Sequence, residues 1–181
     1  GSLYSQAFIA GGTGWITFKM GGTSDASVRL DLIRWVEDGE DEVVASFNNY
    51  LFSDPYRSMG MTRYAYKIDA SLLGEIFYFR LTDGANSAVS FGAASLDSIR
   101  TYYAEEVAVY DGQPPALSNT ADSMKLADDT NIYPAAYVTI PIENISEQLG
   151  IEDATYELRN GGFETGDMTG WFTDASGYTS Y

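Results

Sequence analysis

The chain has 181 residues, 26 acidic against 10 basic side chains, a formal net charge of −16, and neither cysteine nor histidine. This length suffices for one domain, or for one domain and part of a second. The negative charge argues against nucleic acid as a partner, because phosphate binding depends on clustered Lys and Arg. The missing Cys and His exclude disulfides, thiolate metal sites and His-based catalytic triads, which leaves oxygen ligands and therefore calcium as the default metal chemistry.

Membrane insertion is not expected, because no stretch approaches the ~18 uncharged apolar residues that a spanning helix needs. The sequence opens directly on a strand-like run at Gly1. We therefore expect the targeting segment of a secreted parent protein to lie upstream.

Residues 1–103 show the pattern of an antiparallel β protein, with short strands separated by turn residues. Period-two alternation predicts strands buried on one side only. It is visible in Val28, Leu30 and Leu32 against Arg29 and Asp31, and in Tyr64, Tyr66 and Ile68 against Arg63 and Lys67. The predicted strands cover residues 3–10, 15–20, 28–36, 43–49, 62–69, 75–81, 88–94 and 96–103. About eight short strands rich in Val, Ile, Phe and Tyr indicate an all-β antiparallel sandwich of the jelly-roll kind.

A single helical turn is predicted between two of these strands, in the stretch "DASLLGE". Asp69 or Ser71 can cap its start, and Gly74 can end it. Residues 104–159 differ in character, since they hold four of the five prolines and only short apolar runs. Two further strands, "AAYVTI" and "TYELRN", and a helical turn around "ENISEQLG" are predicted within this linker or extension.

The last stretch, "NGGFETGDMTGWFTDASGYTSY" at residues 160–181, has the pattern of the opening of a folded domain. It combines a Gly-rich turn, a short strand seed, a second turn and Trp171. The chain therefore divides into a β-sandwich module over 1–103, an extension over 104–159 and an opening-strand motif over 160–181.

Two segments resemble a known family. The first, "GSLYSQAFIAGGTGWITFKMGG" with "RYAYKIDASLLGEIFYFRLTDGANSAVSFGAASLDSIRTYY", resembles the latter two thirds of the galactose-binding-like, carbohydrate-binding-module-like jelly rolls of secreted bacterial glycoside hydrolases, including fructan-degrading enzymes. The second, "NGGFETGDMTGWFTDASG", resembles the first strand and turn of the same modules. The order departs from the family, because the opening of the module stands at its end.

A sandwich without its first strand leaves an edge of unpaired N–H and C=O groups and an uncovered apolar face. Three arrangements remain open: the terminal motif completes its own chain, completes a neighbouring copy by donor-strand complementation, or belongs to the next module of a longer repeat protein. The residues expected at a strand-complementation interface are Phe163, Glu164, Met168, Trp171 and Phe172.

The resemblance also implies a structural Ca²⁺. In the similar modules the acid of the first strand and an acid near the start of the last strand bind calcium together with main-chain carbonyls; Glu164 and Asp97 match them here. Asp25, in a Gly-rich turn, is a third candidate ligand. Calcium would then join the first strand to the last, and would control assembly if Glu164 came from another chain.

Carbohydrate binding is expected at aromatic side chains that can stack on sugar rings. Trp15 and Trp35 are candidates, as are Tyr50, Phe52 and Tyr56 in the longest irregular stretch of the module, because ligand contacts concentrate on loops. Arg57 and Asn49 are the expected partners of sugar hydroxyls. A glycosidase needs two carboxylates facing each other across a cleft, and no pair of acids stands in a distinctive motif. We therefore do not expect an enzyme.

The sequence thus predicts a non-catalytic carbohydrate-binding-like or scaffolding module of a secreted, multi-module surface protein, with a glycan as its partner. The alternative is a structural subunit that binds copies of itself and forms an extracellular filament by donor-strand complementation under the control of calcium. Neither interpretation involves nucleic acid or membrane insertion.

Overall fold

A computed structural model describes residues 1–22, 27–48, 61–84, 94–107 and 148–173. Within these ranges the chain forms nine strands in two antiparallel sheets, which confirms the predicted all-β sandwich. The strands are β1 (Ser2–Ser5), β2 (Phe8–Ile9), β3 (Trp15–Gly22), β4 (Val28–Arg34), β5 (Glu42–Asn48), β6 (Thr62–Lys67), β7 (Ile76–Asp83), β8 (Ala94–Arg100) and β9 (Trp171–Thr173). The larger sheet has the order β5-β4-β7-β1-β9, with β2 also pairing β7, and the smaller has the order β6-β3-β8.

The sandwich core lies between the two sheets and is unusually aromatic. The ring of Phe18 lies 4.9 Å from that of Phe47 and 5.1 Å from that of Tyr64, measured between centroids. Burial raises the pKa of the Tyr64 hydroxyl, which donates a hydrogen bond of 3.4 Å to the Asn48 carbonyl. Fully buried members of the core include Phe8, Ile16, Met20, Leu30, Leu32, Phe77 and Phe79. Burial of these side chains is the main source of stability.

The larger sheet carries a second apolar cluster on its opposite face. This outer cluster consists of Tyr4, Ala7, Ile33, Tyr78 and Leu149, with Trp35, Ile76, Ile151, Ala154 and Phe172 packed against it. The Tyr78 hydroxyl donates to the Asp41 carboxylate at 2.8 Å. Burial, and then this carboxylate, raise the pKa of Tyr78.

The prediction that strands are buried on one side only is wrong for β4, whose two faces are both buried. Asp31 on its outer face is fully buried and lies directly opposite Arg80 of β7 and Ser46 of β5. Its carboxylate accepts hydrogen bonds from Arg80 Nη2 at 2.7 Å and Ser46 Oγ at 2.6 Å, and it forms an ion pair with Arg29. Burial acts to lower the pKa of Arg80, but Asp31 outweighs burial and raises it.

The alternation predicted for β6 is confirmed in part: Tyr64 is buried while Arg63 and Lys67 are exposed, but Ala65 between them is also buried. The predicted helical turn is also present, as a short 3-10 helix at Ala70–Leu72. Asp69 caps it by accepting a hydrogen bond of 2.8 Å from the Ser71 main-chain N–H.

The strand predicted for "TYELRN" is wrong, because residues 156–160 form bends and turns. Only Thr155 makes a bridge, a parallel one to Phe8. The Leu158 N–H bonds to the Thr101 hydroxyl at 2.9 Å instead of to a neighbouring strand. Asn160 has a left-handed φ of 52°, which an extended strand does not allow.

Residues 148–173, called the terminal segment below, pack against the sandwich of their own chain. Strand β9 pairs with β1 and forms one edge of the larger sheet, with Leu3 opposite Thr173 and Ser5 opposite Trp171. Further main-chain hydrogen bonds join Gln6 N to Gly170 O at 2.7 Å and Ala7 N to Leu149 O at 2.8 Å. The terminal segment therefore covers β1, which would otherwise be the edge of the larger sheet.

Candidate functional site

The junction between the terminal segment and β8 is the candidate functional site. Here the Ile99 N–H donates to the Gly161 carbonyl at 2.9 Å. A Cβ added to Gly161 would overlap the carbonyl oxygen of Ile99, so only glycine permits this close approach. The junction thus brings the opening-strand motif against the last strand of the smaller sheet.

Hydrogen bonds within the motif hold its shape. The Asn160 side-chain amide donates to the carbonyls of Asp167 at 3.1 Å and Thr169 at 2.9 Å, and its oxygen accepts from Thr165 N at 3.2 Å. The Asp167 carboxylate accepts from Thr169 N at 2.9 Å and Thr165 Oγ1 at 2.7 Å. Its hydrogen bonds with Thr169, and then with Thr165, lower the pKa of Asp167.

Backbone strain concentrates at the same junction. In the described part of the chain, four residues other than glycine have a positive φ, and three of them meet here: Ser98 at 54°, Asn160 at 52° and Phe163 at 53°. A left-handed conformation is unfavourable for a bulky residue such as phenylalanine. Stacking of Phe163 on the buried Trp171, at 5.2 Å between ring centroids, offsets this cost.

An open cavity of about 300 Å³ lies at the junction. It is lined by residues 98–101 together with Glu157, Leu158, Gly161, Gly162 and Glu164. Three of the lining side chains are charged, namely Arg100, Glu157 and Glu164. Both signs of charge therefore border one small cavity, which suits a polar ligand.

Of the predicted calcium ligands, Glu164 lines this cavity, whereas Asp97 does not. The Asp97 carboxylate accepts hydrogen bonds from its neighbour, Ser98 N at 2.7 Å and Ser98 Oγ at 3.0 Å. Glu164 accepts one from Gly162 N at 2.9 Å. Among the described residues no three acidic side chains converge as a metal-binding group, so Ca²⁺ at this junction would need main-chain carbonyls besides Glu164 and Glu157. Asp25 lies outside the described residues.

Two tyrosines are sequence neighbours of residues that line the cavity, since Tyr102 follows Thr101 and Tyr156 precedes Glu157. Tyr102 and Tyr156 lie 5.6 Å apart between ring centroids, at an interplanar angle of 45°. Tyr156 is 52% exposed, and its ring lies directly over Gly11, where an added Cβ would overlap it. Its main-chain carbonyl accepts a hydrogen bond of 2.7 Å from the Thr101 hydroxyl, which lines the cavity. The backbone at Tyr156 is thus fixed while its side chain faces solvent.

The predicted carbohydrate-binding residues do not form one described site. Tyr50, Phe52, Tyr56, Arg57 and Asn49 lie outside the described residues. Trp35 is partly buried and packs against the outer cluster. Trp15 donates from its indole N–H to Glu106 at 2.6 Å, and Lys67 binds the same carboxylate at 2.7 Å. These hydrogen bonds, first that of Lys67 and then that of Trp15, lower the pKa of Glu106.

The strand-complementation residues are distributed over the terminal segment. Trp171 is buried in the sandwich core, and Phe172 stacks on Tyr4 in the outer cluster at 5.5 Å between ring centroids. Met168 is 42% exposed. Since β9 places successive side chains on opposite faces, Trp171 and Phe172 anchor it to both clusters of the larger sheet.

Sequence reasoning did not single out Tyr156, Glu157, Arg100 or Tyr102. Their common signal is position, because residues 100–102 end the last strand and residues 156–157 stand just before the opening-strand motif. If the motif packs beside the last strand, as the resemblance implies, both neighbourhoods meet. Position relative to the motif therefore indicated these four residues, whereas their residue types did not.

Comparison of the chain with protein-family models, with curated proteins and with solved structures found no match. In the part of the chain that the structure describes, no helix is long and apolar enough to cross a membrane.

Proposed function

We propose that the chain is a non-catalytic carbohydrate-binding-like or scaffolding module of a secreted, multi-module surface protein. The observation that carries the proposal is the tyrosine pair of the exposed Tyr156 and the partly buried Tyr102, each next in sequence to a residue that lines a cavity bordered by charged side chains. Sugar rings present flat C–H faces and many hydroxyls, so their binding sites combine an aromatic surface with hydrogen-bonding groups.

The local structure supports this role for Tyr156. Its ring rests on the glycine backbone at Gly11, and its main chain is fixed by Thr101, so little conformational freedom remains to be lost on binding. Arg100 lines the cavity and donates from Nε to the Tyr102 carbonyl at 3.1 Å, while its guanidinium lies 4.2 Å from the Tyr103 ring centroid. Arg100 and Glu157 supply the donors and acceptors that sugar hydroxyls need.

A structural Ca²⁺ at the junction forms part of the proposal. Glu164 and Glu157 are its carboxylate ligands, and the strained turns around Ser98 and Phe163 supply carbonyl oxygens. Asp97 stands next to Ser98 and is the further carboxylate if this turn rearranges. Calcium wants about six to eight hard oxygens, which this set provides only with main-chain groups.

A glycan array tests carbohydrate binding. We expect the protein to retain at least one class of neutral oligosaccharide, and we expect Tyr156→Ala to weaken that binding about two- to tenfold, since aromatic contacts contribute about 0.5–1.5 kcal/mol. Val43→Ala, which changes an exposed residue at the far edge of the larger sheet, is the control. Trp35→Ala and Tyr56→Ala test whether the sugar binds instead at the aromatic residues predicted from the sequence. Absence of binding to every glycan on the array contradicts the proposal.

Thermal unfolding with calcium and then with chelator tests the metal site. We expect calcium to raise the unfolding temperature, because a ligand that binds only the folded state stabilises it. Glu164→Gln should abolish most of that increase. Glu75→Gln, which changes an exposed acid outside the junction, should leave it unchanged. An unfolding temperature that does not respond to calcium counts against the site.

A further inference from the structure

We propose that the terminal segment also binds the sandwich of a second copy of this chain, so that two or more copies exchange residues 148–173. A chain is called closed when its terminal segment packs on its own sandwich. The exchanged element is this same segment, and the surface that accepts it is formed by β1, β2 and β8. This proposal does not rest on carbohydrate or calcium binding.

The terminal segment combines edge pairing with buried side chains. It contributes Leu149, Leu158 and Trp171, all buried, to the two clusters. Strand β9 pairs with β1, and isolated main-chain bonds join Ala7 with Leu149 and Ile99 with Gly161. Edge pairing together with large side chains in pockets is how strand addition binds a segment to a sheet.

The acceptor surface needs this segment, whichever chain supplies it. Without β9, the edge strand β1 would expose its unpaired main-chain groups, and Tyr4 would lose the ring of Phe172. Any chain that has released its terminal segment therefore presents an open edge that fits the same segment of another copy. Domain swapping of this kind creates an interface without any new contact.

The choice between closed and exchanged chains depends on the connection. Residues 108–147 join Val107 to the terminal segment, and the covalent length of this stretch cannot exceed about 130–145 Å, enough to reach a neighbouring molecule. Because the segment is covalently joined to its own sandwich, the closed chain prevails in dilute solution. Exchange increases when chains fold together at high concentration.

Cysteine cross-linking tests the exchange directly, because the chain has no cysteine of its own. Leu3 and Thr173 are antiparallel partners of β1 and β9, a spacing that a disulfide can bridge. Leu3→Cys and Thr173→Cys chains are mixed in denaturant, refolded together at about 1 mM and about 10 µM, and oxidised. A disulfide between the two different chains then reports an exchanged segment.

We expect the cross-linked heterodimer to form at the high protein concentration, and we expect its yield to be much lower at the low concentration. The control replaces Leu3→Cys by Val43→Cys, on β5 at the opposite edge of the sheet, and should give little heterodimer. The Leu3→Cys/Thr173→Cys double variant, refolded dilute, should close a disulfide within one chain. A heterodimer yield equal to that of the Val43→Cys control overturns the proposal.

Unmodified protein provides a second measurement that does not depend on the stability of the cysteine variants. After refolding at the same two concentrations it is diluted and analysed by size-exclusion chromatography with light scattering. We expect dimers and larger species that persist on dilution only after concentrated refolding, since release of a buried segment is slow. Monomer alone under both conditions overturns the proposal.

Discussion

The sandwich of residues 1–107 and the terminal segment are stabilised differently. In the sandwich, aromatic side chains such as Phe18, Phe47 and Tyr64 pack against one another and fill a core between two sheets. The terminal segment has only the three-residue strand β9 and is otherwise held by turns, by main-chain hydrogen bonds and by a few anchors such as Trp171. Unfolding of the sandwich is therefore a global event, whereas the segment can detach locally.

The largest expected effect tests this difference by removing one anchor from each region. Phe18→Ala should lower the free energy of unfolding of the whole sandwich by about 3–5 kcal/mol. Trp171→Ala removes a comparable contact, yet we expect its effect to concentrate on the docking of the terminal segment. Hydrogen exchange measured by mass spectrometry should show lost protection in residues 148–173 and in β1, with β3 and β6 unchanged. Uniform loss across both sheets would show that the two regions unfold together.

The next effect compares two hydrogen bonds from serine to aspartate, one buried and one exposed. Ser46 donates to Asp31 at 2.6 Å inside the sheet, and Ser71 donates to Asp69 at 2.6 Å on the surface. Ser46→Ala should cost about 1.5–3 kcal/mol, because it weakens the hydrogen bonding of a buried charge. Ser71→Ala should cost less than about 0.5 kcal/mol. Equal costs in denaturant unfolding would contradict the importance of burial here.

A smaller loss of stability is expected where the main chain of the terminal segment lies against that of β8. Gly161→Ala forces a Cβ against the Ile99 carbonyl and should cost about 1–3 kcal/mol. Gly162→Ala is the matched control, because its Cβ would meet only the end of the flexible Glu164 side chain, at 3.1 Å. Denaturant unfolding compares the two variants, and a control as unstable as Gly161→Ala would show that the turn tolerates no side chain at either position.

The smallest effect is the pH dependence of the terminal segment. The pKa of Asp167 is lowered in the folded chain, so its contribution to stability is complete above the unfolded value of about 3.9 and disappears as the pH falls through the folded value. Thermal unfolding of the wild type and of Asp167→Asn should therefore differ at neutral pH and converge in acid. A difference that stays constant down to about pH 2 would rule out this titration.

The fold could be predicted from the sequence because its main signals are local. Alternating residues in β6 and the Asp69 cap needed no knowledge of the rest of the chain. Burial of the outer face of β4 was not predictable in this way, because Arg29 and Asp31 look like solvent-facing residues in any alternating strand. The partner of Asp31, Arg80, stands far away in the sequence, and only the sheet register brings the two opposite each other.

The candidate site could be predicted only in part. Glu164 was singled out through its motif, and the structure places it at the cavity. Tyr156 and Glu157 fall within the predicted strand "TYELRN". The left-handed backbone at Asn160 and the contact of Gly161 with Ile99 of β8 end any strand there, and the second of these is a tertiary contact. Local propensity cannot reveal such tertiary constraints.

The buried ionic cluster has a consequence for how the larger sheet assembles. Asp31 meets Ser46 on one side and Arg80 on the other because β5, β4 and β7 pair in one particular register. A slip of β4 by one residue would turn Asp31 and Arg29 toward the aromatic core and leave their charges without partners, at a cost of several kcal/mol. The three polar side chains around Asp31 therefore favour the native register over a one-residue slip.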